Sequence, residues 1–214
     1  MKAKLTSIYK KLLKKFGPQD WWPGDTPFEI AVGAVLTQNT NWQNVERAIA
    51  NLKRARALSA KRIHAMKHAE LAELIRPAGY FNVKSRRLKN FVAYLVEEHG
   101  GSMARMAKGT LPDLRHGLLS VNGVGPETAD SILLYALDKP TFVIDAYTKR
   151  ALSRHGFLPY EESYEDYRSL FMDNISPDVE LYNEYHALFV ALGKHLCRPR
   201  NPLCDQCPLD GITP

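Results

Sequence analysis

Apolar residues recur at helical spacing along most of the chain, and no segment shows the alternation of a half-buried strand. Near the N-terminus, Leu5, Ile8, Leu12 and Phe16 fall on one face of a basic amphipathic helix. Residues 28–38, FEIAVGAVLTQ, are apolar almost all round. They predict a central helix buried on most sides, with Thr26 as its cap and Pro27 in its first turn. Further helices are expected over 45–56, 59–66, 69–75, 84–98, 103–108 and 112–119. Residues 127–137 then carry Ala129, Ile132, Leu133 and Ala136 on one face, and helices over 145–155, 164–174 and 180–196 complete an all-α fold. Pro77-Ala78-Gly79 and His99-Gly100-Gly101 punctuate the pattern.

Composition narrows this picture. A chain of 214 residues, 45% hydrophobic and 24% charged, can bury a core in one or two lobes and is not of disordered type. The net charge of +6 and the pI of about 9.2 favour an anionic partner. No apolar run approaches the roughly 18 residues of a spanning helix. The basic N-terminus lacks the apolar core of a signal peptide, so a cytoplasmic protein without membrane contact is expected. The three cysteines, all near the C-terminus, cannot form a disulfide framework and read better as a metal or cluster site.

The most informative stretch is 118–150, LLSVNGVGPETADSILLYALDKPTFVIDAYTKR. Asn122-Gly123-Val124-Gly125-Pro126 is a tight turn between two helices. Glycines flanking one apolar residue let the backbone approach a ligand, and Pro126 suits the first turn of the following helix. Free N–H groups at such a helix start can hold a phosphate without reading sequence. Taken alone, Gly-Val-Gly is an ordinary helix–helix turn. Asp145 begins a later helix and, read alone, is a plain N-cap with Tyr147 and Thr148 at the second and third helical positions.

Together these segments resemble a known family. Residues 121–129 look like the helix-hairpin-helix of base-excision DNA glycosylases, and Val143-Ile144-Asp145 like the loop and catalytic aspartate that follow it in the helix-hairpin-helix/Gly-Pro-Asp superfamily. The subgroup is the endonuclease III-like branch, and the resemblance runs from about Trp21 to Cys207. It implies two helical lobes, residues 1–24 with 141–214 and residues 25–140, acting as a monomer on double-stranded DNA that contains a damaged base. Asn122, Gly123, Val124, Gly125, Glu127 and Thr128 would meet the DNA through the hairpin. Gln38 and Asn39 would meet it where the central helix ends, with Gln38 filling the gap left by a flipped base. Lys84 would join them from a second turn, beside Arg86 and Arg87. Asp145 would stabilise the charge that develops on the sugar and orient the attacking water, and its capping bond can hold at the same time.

The resemblance also implies limits. Superfamily members that nick DNA carry a lysine in the second hairpin helix, and Glu127 stands at that position; a carboxylate cannot form an imine. A monofunctional enzyme without lyase activity is therefore expected. The segments around Trp21-Trp22-Pro23, 36–40 and 76–82 look most like the 3-methyladenine glycosylases of the branch. An aromatic pocket of Trp21, Trp22, Pro23 and Trp42 would favour a cationic alkylpurine, with Lys194 near it by family position. Cys197-x6-Cys204-x2-Cys207 matches three ligands of the branch's [4Fe–4S] loop, but Thr213 stands in the fourth place. A cluster with a non-cysteine fourth ligand, a zinc or three-iron site, and a remnant loop without cofactor all fit that pattern. The runner-up functions are a glycosylase for oxidised pyrimidines and a module that binds damaged DNA without catalysis. Asp145 distinguishes the latter, since a pure binder has no use for a carboxylate facing the sugar.

Overall fold

The computed structural model describes residues 1–21 and 24–214. The chain order is α1 (Lys2–Phe16), α2 (Pro27–Leu36), α3 (Trp42–Arg54), α4 (Ala60–Ala65), α5 (His68–Leu74), α6 (Phe81–His99), α7 (Met103–Met106), α8 (Leu111–Ser120) and α9 (Pro126–Ser131). There follow α10 (Ala146–Arg154), α11 (Tyr164–Met172) and α12 (Val179–His195). Among the described residues there is no strand, in line with the all-α expectation. The helices start where capping chemistry allows: Thr26, Asn41, Ser59, Ser102 and Thr110 each accept a main-chain N–H at the start of α2, α3, α4, α7 and α8.

Two compact units result, residues 22–139 and residues 1–21 with 140–214. In the first, α2 is the core element: Ile30, Ala31, Val32, Val35 and Leu36 are all buried. Gly33 leaves room for the ring of Trp42, whose Cη2 would lie 3.3 Å from an added Cβ. The expected helix over 127–137 is instead α9 followed by a π-helical turn, Ile132–Ala136, all five of whose residues are buried. Arg115 on α8 grips the buried Asp130 on α9 with two bonds of 2.9 and 3.1 Å, which fixes the two hairpin helices to each other.

In the second unit, α1 lies on α12. Leu5, Ile8 and Leu12 are buried as expected, whereas Phe16 is half-buried. The Tyr185 hydroxyl donates to the Leu5 carbonyl at 2.8 Å. Phe142 and Phe171 stack at 3.7 Å, and Tyr182, Tyr185 and Phe189 meet this pair or each other mainly edge-on, which forms the aromatic core of the unit. Against α12 packs α10, made possible by Gly193: a Cβ there would overlap the ring of Tyr147.

Candidate functional site

Asp145 caps α10. Its Oδ1 accepts the Thr148 N–H at 2.7 Å, so the capping role expected of this residue is present. Its Oδ2 lies 3.4 Å from Nε2 of His186 on α12, an ion-pair separation. Burial pushes the carboxyl upward. The neighbouring His186 and the hydrogen bond from Thr148 outweigh burial and hold it below the usual carboxylate range. Asp145 is therefore an anion at neutral pH although it is half-buried. The imidazole of His186 is stacked on Trp21, ring centroids 5.8 Å apart at 26°, so one face of this expected pocket tryptophan is taken. His186 was not legible as a site residue, because it stands alone in the apolar run Tyr185–Phe189.

The hairpin is built differently. Gly123 adopts φ +96°, and a side chain there would overlap Arg87. Gly125 has an ordinary extended backbone, and an added Cβ would meet nothing within 4 Å. The protein's own packing thus requires the first glycine and not the second. Asn122, Gly125 and Glu127 are exposed, while Val124 and Thr128 are buried. Gln38 is half-buried and spends its amide on this turn: Nε2 donates to the Gly123 carbonyl and the Thr128 hydroxyl, each at 3.0 Å, and Arg87 donates to Oε1. Asn39 next to it is exposed, on left-handed backbone at φ +53°.

Lys84 corrects the sequence reading. It does not face outward beside Arg86; it is 1% exposed, and its Nζ donates to the Leu36 and Ala78 carbonyls at 2.7 Å each. These carbonyls end α2 and the turn before α6, where a cation is favoured by the helix dipole. Desolvation, helped by the nearby Arg87 charge, lowers the ammonium to about 8. Lys84 therefore braces the backbone that carries Gln38 rather than meeting phosphate. Tyr80, which sequence reasoning passed over, does face out. It is 72% exposed with φ +44° at the start of α6, a costly conformation for a bulky residue. Trp42 is half-buried against Gly33, Lys194 is exposed on the last turn of α12, and the pocket candidates Trp22 and Pro23 lie outside the described residues.

The cysteine loop is held by α10. Arg150 donates to the Cys197 carbonyl at 2.7 Å, and Arg154 reaches the Arg198 and Pro199 carbonyls and lies 3.4 Å from Cys197 Sγ. Cys197, Cys204, Cys207 and Thr213 line a cavity of about 290 Å³ with His155 and Asp210. Burial pushes the Cys207 thiol up, and the other two thiols and Asp210 add to that. Yet among the described residues no three His, Cys, Asp or Glu side chains are grouped so as to hold a metal ion. Three thiols with a threonine in the fourth place do not make the four-cysteine donor set of a cluster. Among the described residues no helix is long and apolar enough to cross a membrane.

Comparison with known proteins gives the arrangement its context. The chain is 52% identical over 204 residues to a candidate DNA repair glycosylase of Methanocaldococcus jannaschii, a match covering 94% of this chain and 92% of the relative. It is 27% identical to the endonuclease III of Thermotoga maritima, covering 95% and 89%. Its structure superposes on that of the H. pylori 3-methyladenine DNA glycosylase bound to 1,N6-ethenoadenine with a TM-score of 0.74 and 30% identity, covering 89% of this chain and 95% of that one. The description that fits residues 32–177 is that of the HhH-GPD superfamily of base excision DNA repair proteins, and the chain belongs to that superfamily.

Proposed function

We propose that this glycosylase is monofunctional and hydrolyses the N-glycosidic bond of alkylated purines, 3-methyladenine above all, with Asp145 as its catalytic carboxylate. The observation that carries the reading is the half-buried carboxylate of Asp145, capped by Thr148 on α10 and 3.4 Å from His186 on α12. As the C1′–N bond breaks, its electron pair leaves with the base and positive charge develops on the sugar. A carboxylate kept anionic in a water-poor site opposes that charge strongly, and a water attacking C1′ can pass its proton to it. An alkylated purine already carries positive charge, so the leaving base needs no dedicated acid. This suits a site where, as we read it, Asp145 is the one group that acts on the sugar.

The hairpin would hold the DNA backbone through main-chain N–H groups around Gly125, where no side chain stands in the way. Asn39 and Tyr80, both exposed on left-handed backbone, are the side chains we assign to the base stack, with Gln38 fixing the turn behind them. Strand cleavage is not expected, because Glu127 occupies the position of the Schiff-base lysine. The H. pylori relative, a 3-methyladenine glycosylase by name, supports the purine reading.

The test is single-turnover release of 3-methyladenine from alkylated duplex DNA by wild type and Asp145→Asn, with products examined before and after hot alkali. Release by wild type only, with strand breaks after alkali only, is the expected result. Breaks without alkali would overturn the monofunctional assignment. If neither protein releases the base, the alkylpurine reading fails; oxidised pyrimidines, the alternative that the resemblance to the endonuclease III-like branch implies, are then the next substrates to try. Equal activity in both proteins would remove Asp145 from the chemistry.

A further inference from the structure

His186 is buried at 4% exposure in the middle of α12, among Tyr185, Ala187, Leu188 and Phe189. A titratable ring in such surroundings is costly unless a partner compensates. The close contact of α10 with α12 supplies one. Gly193 lies seven residues beyond His186, two helical turns along the same face, and admits Tyr147 against α12. That approach brings the start of α10, and Asp145 with it, to His186: Nε2 and Oδ2 are 3.4 Å apart. Trp21 stacks on the imidazole and fixes the plane of the ring.

We propose that His186 is the positioning residue for Asp145, the second of two anchors that fix the carboxylate's direction inside the protein. The proposal rests on the reading of Asp145 as the catalytic group. Each oxygen has one anchor from a different helix: Oδ1 the Thr148 amide of α10, Oδ2 the imidazole of His186 on α12. A capping bond alone leaves the carboxylate free to turn about its χ2 torsion, whereas a second contact at the other oxygen stops that rotation. At the carboxyl, burial raises the pKa, and the neighbouring His186 together with Thr148 lowers it below the usual range. Among the described residues these groups lie at Asp145, with the Tyr164 hydroxyl of α11 on the neighbouring Ile144 amide. From α12 comes His186 and from α10 the amide and hydroxyl of Thr148, which do not titrate. The third helix packed here, α1, meets α12 through Tyr9 on Tyr185. Trp21, uncharged, faces His186 from the segment after α1.

The experiment compares wild type, His186→Gln and Asp145→Asn by two readouts. The first needs no substrate: the Asp145 carboxyl is followed by ¹³C NMR across pH and identified by its loss in Asp145→Asn. In wild type it should titrate below the usual carboxylate range, and in His186→Gln above its wild-type position, because burial stays and the lowering by His186 goes. The second is the pH profile of single-turnover base release. The acid limb should move up with the carboxyl in His186→Gln, and each unit of movement lowers the rate on that limb about tenfold. Affinity for abasic-site DNA should stay within about twofold, because no DNA contact is removed. Should His186→Gln not fold, His186→Asn replaces it. A wild-type carboxyl titrating in the usual range, or one that does not move on substitution, overturns the proposal. If base release is absent from wild type while the carboxyl still shifts, the pairing stands and the assignment of function fails. If release depends on Asp145 and is indifferent to His186 at every pH, the function stands and the positioning role falls.

Discussion

The hairpin turn and the Asp145 site are built on opposite plans. At Asp145 the carboxylate is held on both sides: each oxygen has a neighbour, and the ring beside it is stacked on a third side chain. At the hairpin the inner side is filled, by Arg87, Gln38 and Thr128, while the outer side is left open around Gly125. The difference suits the roles proposed for each. A group that opposes a charge developing over one bond must be fixed in direction and shielded from water. A surface that follows a phosphate backbone needs exposed N–H groups and room for the ligand. Substitutions should therefore act on chemistry at the first site. At the second they should divide between stability and binding, according to the side on which they fall.

The largest effect is expected at Asp145. Asp145→Asn keeps the shape and a capping oxygen but removes the charge, and should lower single-turnover release by about 10²–10³-fold. Affinity for DNA should hold or rise, since a negative charge is lost. The same carboxylate sets the acid side of the pH profile. Its value is depressed in the folded protein, so activity should be complete at neutral pH and fall only as pH drops below the usual carboxylate range. A limb near neutrality would mean that burial, not His186, controls the group.

Lys84 comes next, and it sharpens the comparison because it belongs to the filled side of the hairpin's unit. Lys84→Met leaves the Leu36 and Ala78 carbonyls without their donor and should cost about 2–4 kcal/mol, read by denaturant unfolding. The deficit should vary with pH. A folded value of about 8, below the unfolded one, means that charging Lys84 costs the folded state most below about pH 8. Wild type should then gain stability relative to the variant as pH rises from about 8 toward the unfolded lysine value of roughly 10.4. A constant difference across that range would show that the two carbonyls compensate the ammonium fully.

Lys84 also shows how far sequence could be read. Helical periodicity gave the all-α fold and most element positions, because buried faces such as 5–8–12 repeat at the helical spacing. The same periodicity carried Lys84 inward: buried positions on α6 are 84, 85, 88, 91, 92 and 95, one continuous stripe. Grouping Lys84 with Arg86 and Arg87 as a basic surface let charge override that stripe. At Asp145 the cap was legible, since an N-cap needs only local spacing. His186 lies 41 residues beyond Asp145 in sequence and meets it only because α10 and α12 pack through Gly193. Such a meeting has no local signature. The π-helical turn after α9 was hidden for a related reason: its residues are apolar at a spacing that suits an α-helix equally well.

The two hairpin glycines divide the filled side from the open one within three residues. Gly123→Ala must place a Cβ on backbone at φ +96° and against Arg87, and should cost about 1–3 kcal/mol of stability. Loss of DNA affinity in that variant would be secondary to the distorted turn. Gly125→Ala meets no such obstacle, because its backbone is extended and the space around it is empty. Its stability should stay within about 0.5 kcal/mol of wild type. If the open side receives a phosphate, the new methyl group stands between the ligand and the main-chain donors. Affinity for duplex DNA, measured at fixed salt, should then fall about tenfold, a loss on the scale of one charge-assisted hydrogen bond. Asp145 chemistry should be unaffected once the DNA is saturating, so the loss belongs to binding and not to the single-turnover rate. Unchanged affinity would mean that the opening at Gly125 is not where DNA sits, and the hairpin would then be a structural turn whose second glycine no contact explains.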